Sequence, residues 1–99
     1  MSQATIETRG SVEDNLCEVI VEDSEGRDVV FLNNVEAEEA LAEGPRVFLD
    51  LLGRYLTPYG IDILQAAYIN ETEVTLNGAV VAPQDLVDGI GIAPTPKTT

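Results

Sequence analysis

The stretch Leu16-Cys17-Glu18-Val19-Ile20-Val21-Glu22-Asp23-Ser24-Glu25-Gly26-Arg27-Asp28-Val29-Val30-Phe31-Leu32 decides the fold class. Cys17, Val19 and Val21 alternate with Glu18, Ile20 and Glu22, the period of two that puts one side of a strand in a core and the other in water. Residues 23–27 supply turn chemistry, with Gly26 able to take positive φ, before the β-branched run of residues 28–32. Two such strands around a polar turn predict a β-hairpin with Cys17 facing inward.

On the C-terminal side, Asn33 followed by Glu36 fits an N-cap with an acid three residues on, so a helix is expected from about Asn34. Residues 35–43 are rich in helix formers, and their early glutamates suit the positive end of the helix dipole. Gly44-Pro45 stops that helix and opens another, whose apolar residues Phe48, Leu51, Leu52, Tyr55 and Leu56 recur at three- and four-residue spacing until Thr57-Pro58. Residues 61–69 are ambiguous in period; Ile61, Ile63 and Ile69, next to Gly60, favour a strand. Val74-Thr75-Leu76 and Ala79-Val80-Val81 then flank Asn77-Gly78, the dipeptide preferred where a two-residue turn needs positive φ twice. Residues 85–93 read as a turn and one short last strand.

Residues 1–15 lack a clear period, although residues 4–8 suit a short strand, and they read as an extended N-terminal arm. Residues 16–93 form a single domain, and residues 94–99 a flexible Pro/Thr tail. The expected order is ββααβββ: an α+β fold, a small two-layer sandwich of a mostly antiparallel sheet covered by one or two helices.

At 99 residues there is chain for one core and little more. Eighteen Asp and Glu stand against five Lys and Arg, a net charge of −13, and the imbalance is uneven: residues 1–43 hold twelve acids and two bases. Nucleic acid and anionic membrane are held through clustered cations, which are lacking here, so neither is expected as a direct partner. The acidity and the single lysine instead suit high salt, where the Debye length shrinks to about 3 Å and carboxylates keep a chain hydrated at little repulsive cost. No apolar run approaches the roughly 20 residues of a membrane span. No basic-then-apolar leader opens the sequence, so a cytoplasmic or virion location is expected.

There is no histidine and one cysteine. Imidazole-based metal sites, the Ser-His-Asp relay and an intrachain disulfide are therefore impossible, and no catalytic residue, metal ligand or cofactor is expected. Cys17, with no base to activate it, reads as a small core hydrophobe. The turn Asp23-Ser24-Glu25-Gly26 places its glycine too early for a calcium loop and allows at most weak cation binding. Gly89-Ile90-Gly91 has no third glycine to build a phosphate cradle, and both glycines read as turn or bulge positions.

The closing stretch, residues 76–81 through residues 86–92, resembles the last third of ubiquitin-like β-grasp sulfur carriers. That resemblance implies a β-grasp-like sheet with a regulatory or carrier role. The reactive Gly-Gly terminus of those carriers has no counterpart in Lys97-Thr98-Thr99.

The expectation is a non-enzymatic structural or adaptor subunit of a larger assembly, acidic and salt-adapted, working through contacts with other protein subunits. A virion capsid, tail or connector accessory protein of a halophile virus fits that description. Free sheet edges invite pairing between chains. One alternative is an acidic nucleic-acid mimic that inhibits a DNA-binding or defence complex, with Glu36, Glu38, Glu39 and Glu43 as its partner-binding face. Another is a β-grasp-like regulatory module.

Overall fold

The first third of the chain forms three consecutive antiparallel strands. In the computed structural model, which describes residues 3–11 and 13–92, these are β1 (Ala4–Ser11), β2 (Leu16–Glu22) and β3 (Arg27–Asn33). β2 and β3 are the expected hairpin, paired from Leu16–Asn33 to Glu22–Arg27. Cys17, Val19 and Val21 of β2, and Val30 and Leu32 of β3, are buried on one side. The turn between them is closed by the Asp23 carboxylate, which accepts from the backbone N–H groups of Glu25 and Gly26 at 2.8 and 2.9 Å. Gly26 serves a different purpose from the expected positive φ: the Tyr59 hydroxyl lies against its α-carbon, where a side chain would stand.

Asn33 caps the next helix, its side chain accepting from the Glu36 N–H at 3.1 Å. This helix, α1 (Asn34–Glu43), buries Ala37 and Ala40. α2 (Pro45–Gly53) begins on Pro45 and buries Phe48, Leu49 and Leu52; it ends before Tyr55, which is exposed.

Residues 61–69, expected as a strand, are instead most of a third helix, α3 (Pro58–Ile69). Thr57-Pro58 starts this helix rather than merely ending α2: Thr57 is the N-cap, its hydroxyl accepting from the Gly60 N–H, and Pro58 sits in the first turn, where a missing N–H costs nothing. Gly60, Ile63, Leu64 and Ala67 fall on one buried helical face. β4 (Val74–Leu76) and β5 (Ala79–Val80) then form the Asn77-Gly78 hairpin, with φ of 51° and 90° at the two turn residues. In place of the expected last strand, the single turn α4 (Pro83–Asp85) runs into a wide π-helical turn over Leu86–Ile90, which Gly91 ends by donating to the Leu86 and Val87 carbonyls at 3.2 Å. The expected last strand is therefore absent from the described residues, and the Pro/Thr tail lies outside them.

The sheet runs β3-β2-β1-β4-β5. Residues 4–11, expected in an arm, are thus its central strand, antiparallel to β2 and parallel to β4. They escape the alternation signal because only Ala4 and Ile6 bring apolar side chains to the core. At the next two inward positions Thr8 holds the side chain of Asn77, and Gly10 leaves room for Asn34, whose Oδ1 would stand 2.6 Å from a Cβ there. The result is an α+β fold with a mixed five-stranded sheet and four helices. α1 and α3 make the main contacts with β1–β3, while α2, expected to cover the sheet, packs chiefly on α1 and the π turn. Gly89 permits that last contact, since a Cβ there would lie 2.8 Å from Leu49 Cβ and 3.0 Å from the Arg46 carbonyl oxygen.

Candidate interaction surface

Register assigns every strand residue to one of two sheet faces. The inward face holds Ala4, Ile6, Cys17, Val19, Val21, Val30, Leu32, Val74 and Leu76, all in one buried cluster with the helices. The single buried charged residue among those described, Asp28, lies there as well. Its carboxylate accepts from the N–H and hydroxyl of Thr57 at 3.2 and 2.9 Å, tying the start of α3 to β3.

The opposite face presents three cross-strand rows: Thr75–Thr5–Glu22–Arg27, Glu7–Ile20–Val29 and Arg9–Glu18–Phe31. Leu16 adds to it beside Asn33, and Val80 beside Thr75. Ile20 is buried yet stands apart from the core cluster, so its cover comes from its neighbours on this face. Beside it Val29 is 37% exposed and Phe31 56%, and Leu16, beyond Glu18 on the same strand, is 42% exposed. Charges border this apolar centre, and Arg27 and Glu22 pair at 3.3 Å. Such an exposed pair contributes well under about 1 kcal/mol, so it marks the border of the patch more than it stabilises the strands.

The patch reaches a free edge, and two bonds fix how that edge is presented. Asp23 N–H donates to the Gly26 carbonyl at 2.9 Å, and Asn34 N–H to the Asn15 carbonyl at 3.0 Å, one at each end of the β2–β3 ladder. Bonded and non-bonded pairs alternate along an antiparallel ladder. Asp28, Val30 and Leu32 therefore turn their N–H and C=O groups to β2, while Arg27, Val29, Phe31 and Asn33 turn theirs outward. Among the described residues none supplies a partner to the outward backbone groups of Val29 or Phe31. The same two residues thus offer free hydrogen-bonding groups at the edge and apolar side chains on the open face.

The four glutamates of the expected acidic face are all exposed on α1. Glu36, Glu39 and Glu43 follow one stripe at three- and four-residue spacing; Glu38 lies about 100° further round the helix than Glu39 and accepts from the Asn34 side chain at 3.2 Å. The structure therefore groups three of the four.

Cys17 is buried as expected, and that burial pushes its thiol above the usual range; a backbone contact from Arg9 opposes the shift and the charge of Glu38 adds to it. A thiol held protonated is a poor nucleophile and a poor metal ligand. Among the described residues no three Cys, Asp or Glu side chains converge as a metal site would require, and no helix is long and apolar enough to cross a membrane. A groove of about 480 Å³ lies between the end of α3 and the β4–β5 hairpin, lined mainly by Ala67, Tyr68, Val74, Val81, Pro83 and Leu86. Its lining adds only Glu71 and Glu73 as charged groups. Comparison with known protein families, with curated proteins and with solved structures finds no match to this chain.

Proposed function

We propose that this chain is a non-enzymatic structural or adaptor subunit of a larger protein assembly, acting by contact through the sheet face its helices leave open. The observation that supports the reading is the apolar centre of that face, Val29 and Phe31 beside Ile20 with Leu16 further along β2, on a protein carrying eighteen carboxylate side chains. Exposed apolar groups gathered on one face and rimmed by charge are characteristic of contact surfaces. The acidity serves solubility and hydration at high salt, where screening removes most of the repulsion between copies carrying −13 each. An accessory protein of a virion from a saline environment is one such subunit.

The test is native mass, measured by sedimentation equilibrium from about 10 μM to 1 mM in 0.1 to 3 M KCl, a span over which the Debye length falls from about 10 Å to under 3 Å. The expected result is a mass above one chain that grows with salt. A protein that stays monomeric throughout, or that turns over any substrate unaided, overturns the reading.

A second reading, an acidic mimic of nucleic acid, is favoured by the Glu36–Glu39–Glu43 stripe, whose carboxylates recur at about 4.5 and 6 Å along the helix. It requires tight binding to a basic partner, lost steeply with added salt and with charge reversal at those positions. Affinity indifferent to both rules it out.

A further inference from the structure

Resting on the assembly reading above, we infer that the partner on the β3 edge is a second copy of this chain, joined through β3 in antiparallel, two-fold pairing centred on Val30, so that two five-stranded sheets become one of ten. The outward N–H and C=O groups of Arg27, Val29 and Phe31, with the Asn33 N–H, form the donor and acceptor row that such pairing requires.

A two-fold axis at Val30 places Val29 opposite Phe31 of the other copy, and Arg27 opposite Asn33, on both sides of the axis. All seven residues of β3 then lie in the junction, with about six inter-chain hydrogen bonds: two in each Val29–Phe31 pair and one in each Arg27–Asn33 pair, because the Asn33 carbonyl already opens the α1 ladder. An axis at Val29 or Phe31 would leave one end of the strand unpaired. The centred register also brings both phenylalanines and both Val29 side chains together on the open face, extending the apolar centre across the junction.

Charge selects the occupant. The exposed side chains of β3 are Arg27, Val29, Phe31 and Asn33, with no carboxylate among them, in a chain that has eighteen acids. Asp28 is buried and bonded to Thr57, Glu22 is paired with Arg27, and Glu18, opposite Phe31 on β2, stands one strand in from the junction. Self-pairing here opposes no like charges, so the edge is suited to meet its own copy despite the net charge of the whole. A closed two-fold contact also stops at two chains, whereas pairing β3 with the other edge strand, β5, would continue as an open filament.

The experiment compares the wild type with Val29→Pro and Val29→Lys by sedimentation equilibrium in 3 M KCl, with far-UV circular dichroism to verify the fold. Proline at position 29 removes an outward N–H and leaves the β2 ladder intact; lysine keeps the N–H but sets two cations across the junction from apolar partners. The wild type is expected at twice the monomer mass, and both variants, still folded, are expected to dimerise at least tenfold more weakly. If proline disturbs the strand, the lysine variant alone decides. Association that neither variant weakens refutes the β3 pairing and leaves the assembly reading standing. A mass that climbs beyond two chains likewise refutes the closed pair and points to β3–β5 contacts. A wild type that stays monomeric refutes both.

Discussion

Asp28 joins the two layers of the protein, and its removal gives the sharpest test of how the structure is held together. Asp28 is 8% exposed, and its carboxylate accepts both Thr57 bonds on one oxygen, Oδ2. Hydrogen bonds to a charged group contribute about 1.5–3 kcal/mol each when well made. Recovered solvation of the exposed Thr57 offsets part of the loss, so Asp28→Ala should cost about 2–3 kcal/mol. At the urea dependence usual for a domain of this size, that moves the midpoint down by about 1–2 M at unchanged slope. Gly60 makes the test specific. A Cβ there would run into Asp28 Oδ2 and come within 2.9 Å of Leu56 Cδ2, so Gly60→Ala alone should destabilise. Once Asp28 is alanine the obstructing oxygen is gone, and only the retained Cβ at 3.1 Å and the yielding end of Leu56 crowd the new methyl, against the preference of about 1 kcal/mol for alanine over glycine within a helix. Gly60→Ala should therefore cost markedly less in the Asp28→Ala background than in the wild type. Urea melts of the four proteins, in salt high enough to keep all folded, measure this directly. An Asp28→Ala cost under about 0.5 kcal/mol, or equal Gly60→Ala costs in both backgrounds, would refute the joint as described.

Three further outcomes follow from residues already placed. The raised Cys17 thiol stays protonated in the fold while the unfolded chain ionises above about pH 8.5, so stability should fall as pH rises past that value; urea midpoints from pH 7 to 10 should show the slope and Cys17→Ala should flatten it. Asn77 donates to the Thr8 hydroxyl and accepts from the Thr8 N–H, both at 3.0 Å, besides turning the hairpin. Asn77→Gly keeps the turn and should still lose about 1–2 kcal/mol, and amide exchange at Thr8 should accelerate; unchanged exchange would show the clamp to be idle. Gly89→Ala should cost about 2 kcal/mol by forcing the π turn off α2, and a neutral thermal melt would contradict the close approach.

The parts of the fold that were legible in the sequence share a cause. β2, β3, the Asn33 cap and the Asn77-Gly78 turn are set by neighbours within a few residues, so local pattern suffices. β1 and α3 depend on distant partners. Thr8 and Gly10 look unfit for a central strand until Asn77 and Asn34 arrive to fill the space beside them, some seventy and twenty-four positions away. Residues 61–69 carry isoleucines that suit a strand, but Thr57 and Pro58 had already begun a helix; the same dipeptide reads as a stop or a start depending on which side is weighed. The last strand failed for a related reason, since Gly89 is small to let α2 approach and not to bulge a ladder. Of the candidate surface, the inward position of Cys17 and the exposed glutamates were readable from spacing. The open face and the outward phase of Val29 and Phe31 were not, because they depend on which face the helices cover and on two bonds at the ends of a ladder.

The parallel pairing of β1 with β4 has a consequence for synthesis. β1 is complete by Ser11, yet its second neighbour begins at Val74. At about 5–20 residues per second, a ribosome needs several seconds to supply it. Throughout that interval the future centre of the sheet is a bare margin on a growing three-stranded meander, open to whatever strand comes first. A protein so arranged benefits from a polar first strand, and Thr5, Glu7, Thr8 and Arg9 supply one: residues that obscure its place in the finished molecule also discourage premature partners while it waits.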